Sequence, residues 1–182
     1  MIFTPTELAD AAIIDVDRHE DERGFLARTY DEREFADHGL PMPIVQSSTI
    51  YTPRRDTLRG LHFQQAPHAE AKLVRCTQGS IFVVMVDLRP ESPSWRGWLG
   101  LELTASNHRL AYVPKGFAQG YQTLEDETEV LYHMSHHYVP EAATGVRWDD
   151  PAFGIKWPAA ERRLISDRDS EWPDYSAEAK PA

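Results

Sequence analysis

The sequence is short of cysteine, of positive charge and of long apolar runs, and each shortage excludes something. A single cysteine, Cys76, in 182 residues permits no internal disulfide and no zinc cage built from thiolates. The densest apolar stretch, Ile81-Phe82-Val83-Val84-Met85-Val86, is far below the ~20 residues that a membrane-crossing helix needs. Lysine and arginine total 19 against 29 aspartates and glutamates, a formal net charge of −10 at pH 7. Nucleic acid and anionic membrane surfaces require a basic face, so neither is expected as a partner. The opening Met1-Ile2-Phe3-Thr4-Pro5 meets Glu7 and Asp10 early and has neither the basic nor the apolar region of a secretory signal. A reducing, cytoplasmic setting is expected.

What is present is a rhythm of short strand-like runs. They fall at Ile13–Val16, Gly24–Tyr30, Ile44–Ile50, Leu58–Phe63, Leu73–Thr77, Ile81–Leu88, Leu99–Leu103, Arg109–Val113, Gly120–Leu124 and Val130–Ser135, separated mostly by Gly, Pro, Asp or Ser. Close spacing of this kind reads as an all-β sandwich or barrel. The run Ile81–Val86 is apolar at every position, which predicts a strand buried on both faces. Alternation puts Val130, Tyr132 and Met134 on one face of their strand and Glu129, Leu131 and His133 on the other. One short helix is predicted over Glu32–His38, with Asp31 as N-cap, Glu34 completing a capping box and Gly39 as the stop. A single domain over residues 1–182 is expected, with a weakly ordered tail from residue 170 that is least patterned from Ser176 to Ala182.

Against the acidic background, residues 54–75 carry Arg54, Arg55, Arg59, Lys72 and Arg75 but only Asp56 and Glu70. That local excess of three positive charges suits a phosphate, and equally a solvated strand edge protected by charge. His62 fits a base, a metal ligand or a packed core histidine. Tyr132 reads as a packed aromatic with its hydroxyl bonded, and Asp169, three residues after Ser166, reads as part of a helix start. None of these residues decides anything alone.

Their order is more telling. Gly60-x-His62-x-Gln64, Lys72, Gly79 and Pro114-x-Gly116-x-x-Gln119 resemble the two motifs of the cupin superfamily, whose metal-binding members use three histidines and a glutamate. Only His62 fits that ligand set; Gln64, Lys72 and Gln119 hold the other positions. An ammonium repels a divalent cation and carboxamides replace imidazole poorly, so no metal is expected. A narrower resemblance is carried by Arg59-Gly60-Leu61-His62-Phe63-Gln64, Lys72-Leu73-Val74-Arg75-Cys76, Val86-Asp87-Leu88-Arg89-x-x-Ser92-Pro93 and Pro114-x-Gly116-Phe117-Ala118. Asp21-Glu22-Arg23-Gly24-Phe25, Trp148-x-Asp150-Pro151-x-x-x-Ile155-x-Trp157-Pro158 and Ser166-x-x-Asp169 extend it. Together they resemble the dTDP-4-dehydrorhamnose 3,5-epimerase family from about Ile13 to Pro173.

The resemblance implies a double-stranded β-helix (jelly roll), a homodimer, and inversion at C3 and C5 of a nucleotide-linked 4-keto-6-deoxyhexose without metal or nicotinamide, so no cofactor is expected. A C4 carbonyl acidifies the hydrogens on both neighbouring carbons; a base on one side, an acid on the other and a cation at the oxygen then suffice. By position, His62 resembles the base, Asp169 its orienting carboxylate, Tyr132 the opposite-face acid and Lys72 the enolate-stabilising cation. Arg59, and Arg23 from the partner subunit, resemble the diphosphate holders, with Gln46 on the family's substrate-contacting strand. Strict alternation sets Arg59 and His62 on opposite faces, so a bulge or a twist is expected at Gly60.

The binding set departs from the family. Gln119 stands for a substrate-contacting histidine, Arg28 and Ala143 for glutamates, Arg168 for a lysine, Gln46-Ser47-Ser48 for Gln-x-Asn, and Val83 for an aspartate. A changed nucleotide, a changed keto sugar or inversion at one centre is expected from those losses. A sugar ketoisomerase and a nucleotide-sugar-binding cupin without turnover are the alternatives.

Overall fold

The unbroken apolar run and the alternating strands solve one problem together, which is how to bury a core between two sheets. The computed structural model describes residues 1–175. One antiparallel sheet orders β1 (Ile2–Pro5), β2 (Ala12–Asp15), β10 (Leu110–Val113), β7 (Lys72–Gln78), β12 (Thr128–Met134) and β5 (Gln46–Thr52). The other orders β13 (Ala143–Gly145), β6 (Leu58–Gln64), β11 (Phe117–Thr123), β8 (Ser80–Asp87) and β9 (Trp98–Thr104). The two sheets form the expected jelly roll. A separate hairpin pairs β3 (Arg18–Asp21) with β4 (Gly24–Ala27).

The inner faces meet in a cluster that includes Val74, Cys76, Val113 and Val130 from the first sheet and Ile81, Val83, Met85 and Phe117 from the second. Alternation along β8 sends Val84 and Val86 to the opposite face, where Leu61, Val146 and Phe153 cover them. That double burial explains why no polar residue interrupts Ile81–Val86. Each such side chain contributes about 1.5–3 kcal/mol on leaving water. The outer face of the six-stranded sheet is covered by α1 (Glu32–Asp37), whose Phe35 packs with Ile14, Leu73 and Leu110.

Helix α1 starts as expected, with the Asp31 side chain accepting from the Arg33 and Glu34 backbone N–H groups. The capping box is only half present: the Glu34 carboxylate turns instead to the Met1 ammonium at 3.0 Å and to Arg28. A full charge attracts it more strongly than a neutral N–H. Residues 170–175, expected as the start of a weakly ordered tail, pack back on the molecule. The Tyr175 ring lies against Phe153, and Asp174 pairs with Arg147 at 2.6 Å. Ser176–Ala182 lie outside the described residues.

Cys76 is fully buried, and burial pushes its thiol up to about 11. While it stays buried, only about one thiol in a thousand is ionised at pH 8. The native protein is therefore expected not to react with a disulfide reagent at pH 8, and to titrate one thiol per chain once unfolded in urea. Fast labelling of the native protein would contradict this burial.

Candidate active site

The β6–β11 pairing determines where the chemistry sits. Tyr121 of β11 pairs with Arg59, and Gln119 pairs with His62, so Gly60 and Leu61 together face the single residue Gly120. This is the expected bulge, and it turns both Arg59 and His62 into the space between the sheets. Gly60 has φ +119°, and a Cβ there would lie 2.6 Å from the Gly120 Cα and 2.9 Å from the Gln119 carbonyl oxygen. Gly120 is equally constrained, since its Cβ would fall 2.5 Å from the Arg59 carbonyl oxygen. Two glycines back to back are what allow the bulge.

Asp169 reaches this bulge from α2 (Asp167–Ser170), a single turn whose N-cap Ser166 accepts the Asp169 backbone N–H at 3.2 Å. The Asp169 carboxylate does not close a capping box. Its Oδ1 lies 2.6 Å from His62 Nε2, and its Oδ2 accepts the Gly60 N–H at 3.0 Å. Burial alone would raise its pKa, but the bonds from His62 and Gly60 and the nearby Trp172 indole outweigh it and hold the carboxyl below the usual range. A carboxylate accepting from Nε2–H leaves His62 Nδ1 as the nitrogen with a free lone pair.

A cavity of about 250 Å³ opens beside this pair, lined from the five-stranded sheet by Arg59, His62, Gln119 and Tyr121, with Ala143 and Arg168 at its rim. The six-stranded sheet contributes Val74, Val130, Tyr132 and Met134, so the face assignment along β12 holds. Tyr132 thus approaches from the sheet opposite His62. Lys72, at the start of β7, is buried; its Nζ donates to the His62 carbonyl oxygen at 3.1 Å and pairs with Glu70 Oε1 at 3.0 Å. A larger cavity of about 390 Å³ near Phe63, Leu88, Pro90 and Tyr175 shares part of β6 but includes neither His62 nor Asp169. The smaller cavity holds the titratable pair, and chemistry rather than size identifies it as the site.

The structure brings His62, Tyr132, Asp169, Lys72, Arg59, Gln119 and Arg168 together. It does not bring Arg23 or Gln46 to them. Arg23 caps the β3–β4 hairpin, exposed and bonded to Asp21, while Gln46 Oε1 accepts the Tyr138 backbone N–H at 3.0 Å. The basic segment 54–75 does not converge either, because only Arg59 and Lys72 of its five cations line the cavity. Alternation along β7 turns Lys72 inward and Arg75 outward, and Arg55 pairs with Asp56. Gln64 is committed elsewhere: its amide donates to the His68 and His137 carbonyls and accepts from Val139 N–H. Among the described residues, no group of three or more His, Cys, Asp or Glu is placed to hold a metal ion.

Two lining residues have no counterpart in the sequence reading. The Tyr121 hydroxyl is buried without a hydrogen bond, although Thr52 and Arg59 lie near, and burial pushes its pKa to about 12. Glu70 is buried with Oε2 unpartnered. The sequence offered only a slight signal for Glu70, which stands two residues before Lys72, and none for Tyr121, whose place opposite Arg59 comes from the strand register.

Comparison with known proteins agrees along the whole chain. The family model described as dTDP-4-dehydrorhamnose 3,5-epimerase matches residues 5–177. A dTDP-4-dehydrorhamnose 3,5-epimerase of Salmonella typhimurium is 37% identical over 174 residues, covering 95% of this chain and 94% of that protein. One from Methanothermobacter thermautotrophicus is 40% identical over 172 residues, with coverage of 93% and 92%. The crystal structure of the Bacillus anthracis enzyme with TDP and PPi bound superposes with a TM-score of 0.91 at 37% identity, covering 96% of this chain and 99% of that one.

Proposed function

Because the chain belongs to the dTDP-4-dehydrorhamnose 3,5-epimerase family, and is an isomerase that inverts C3, C5 or both of a nucleotide-linked 4-keto-6-deoxyhexose, we propose that His62, Asp169, Tyr132 and Lys72 divide the proton chemistry among them. The observation that carries this reading is the 2.6 Å His62–Asp169 contact at the wall of a cavity whose opposite wall presents Tyr132. His62 Nδ1 takes the proton from the carbon beside the ketone, and the electron pair moves onto the C4 oxygen. Lys72 has three N–H groups; the His62 carbonyl and Glu70 account for two, and the third stabilises that oxygen as charge develops. Tyr132 then delivers its hydroxyl proton to the opposite face, which inverts the centre. Solvent returns a proton to Tyr132 and removes one from His62, so atoms and charge balance over a turnover. Asp169 holds the imidazole in the tautomer that keeps Nδ1 free.

Arg59 and Arg168, at the cavity wall and rim, hold the diphosphate. The molecule works as a homodimer in which the β3–β4 hairpin enters its partner. Phe25 and Leu26 on that hairpin are 45% and 74% exposed, an apolar surface that its own chain covers only in part, and Arg23 sits at its tip. Gln119 and Ala143 line the cavity whereas Arg28 pairs with Asp31 and Glu34 away from it. These departures are expected to alter the choice of substrate.

The test is a deuterium wash-in series in D2O with dTDP-, UDP-, GDP- and CDP-linked 4-keto-6-deoxyglucose, read by NMR. Deuterium is expected at C5, at C3 or at both. Absence of uptake from all four substrates by a folded, nucleotide-binding protein would refute the reading.

A further inference from the structure

Two residues that line the same cavity each carry a buried polar atom with no hydrogen-bond partner, Glu70 Oε2 and the Tyr121 hydroxyl. Buried polar atoms are almost always paired, so an orphan at a site's wall marks where a ligand atom belongs. Glu70 is the more informative of the two because its other oxygen is fixed. Its side chain is 3% exposed, and Oε1 is 3.0 Å from Lys72 Nζ. Oε2 shares a carbon with Oε1, so it lies beside whatever oxygen Lys72 holds.

We propose that Glu70 is a specificity-determining residue that reads the substituent at C3 of the keto sugar, with Oε2 accepting a hydrogen bond from a hydroxyl or amine there. The inference rests on the assignment of Lys72 to the C4 oxygen. Two carbons flank C4. C5 bears the ring oxygen and a methyl group, neither of which donates a hydrogen bond. C3 bears the hydroxyl, and its proton is the one donor within reach of an acceptor adjacent to the carbonyl. A substrate lacking it would leave Oε2 buried and unpaired in the complex, the situation in which polar sites discriminate most strongly. The same carboxylate would draw in a protonated 3-amino sugar, since the buried pair then gains a second cation.

The experiment measures Kd by calorimetry for dTDP-4,6-dideoxy-4-fluoroglucose and its 3-deoxy analogue, neither of which can be turned over because C4 carries no carbonyl, and whose fluorine donates no hydrogen bond to Oε2. The wild-type protein is expected to prefer the 3-hydroxy ligand by about 10- to 100-fold. Glu70→Ala, and Glu70→Met of closer volume should the alanine variant fail to fold, are expected to bring that ratio close to one. A wild-type ratio near one, or an unchanged ratio in the variant, overturns the proposal. A structural role for Glu70 would weaken both ligands alike and leave the ratio where it was. Wash-in with the corresponding 4-keto sugar, run beside it, keeps the two readings separate. A Glu70-dependent ratio without any deuterium uptake refutes the epimerase chemistry and leaves C3 recognition standing.

Discussion

Replacing His62 by Ala is expected to lower the rate of deuterium wash-in by about 10²–10⁴-fold, the usual contribution of a positioned general base. The side chain is 44% exposed, toward the cavity, and removing it opens space without breaking the core. Folding and nucleotide binding should survive. Asp169→Asn tests the second half of the pair. A carboxamide can present its NH2 to the ring and so turn the tautomer, placing the proton on the nitrogen that must be free. The same exchange in a serine-protease triad costs about 10⁴ in turnover, and a loss of that order is expected here. Both rates are read by NMR from uptake at C3 and C5. Retention of wash-in within about tenfold of wild type by His62→Ala would assign the base elsewhere.

Gly60→Ala is expected to be more damaging than its single added methyl suggests, costing on the order of 3 kcal/mol of stability and most of the activity. At φ +119° any side chain is strained, and this one would meet backbone atoms of β11 at 2.6 and 2.9 Å. The strands would have to part at the place where the bulge aims His62 and where Gly60 N–H binds Asp169. Gly24 supplies the control. Its φ is +126°, but a Cβ there meets nothing within 4 Å. Gly24→Ala should therefore show the conformational strain alone, about 1 kcal/mol. Urea midpoints for the two variants separate the terms, and equal shifts would show that close approach to β11 contributes nothing.

The sequence resolves strands where burial imposes a pattern and misses them where it does not. All ten strand-like runs correspond to strands within a few residues at their ends. The three missed are β1, β3 and β13. Arg18–Asp21 has no apolar residue because its hairpin packs on no core of its own chain. Ile2–Pro5 ends in a proline at a sheet edge. Ala143–Gly145 is too short to show alternation. Half of the site was legible in the same sense. The Arg59–His62 conflict with alternation pointed to a bulge, and the glycine between them said where. Glu70 and Tyr121 were not legible, because a carboxylate in a basic stretch reads as charge balance and a tyrosine in a strand reads as core. Their significance lies in which partners they lack, and only coordinates show that. Asp169 could be matched to His62 through the family resemblance alone, since the two are 107 positions apart.

That separation has a consequence in time. Both sheets are complete by Gly145, yet His62 has no carboxylate until α2 arrives from the far end of the chain. A chain emerging from the ribosome can close its strands and bury much of its core while His62 still lacks that carboxylate. One turn of helix, following both sheets in chain order, is what brings His62 its carboxylate. A chain cut before Asp167 would keep every strand of both sheets and leave His62 without its carboxylate.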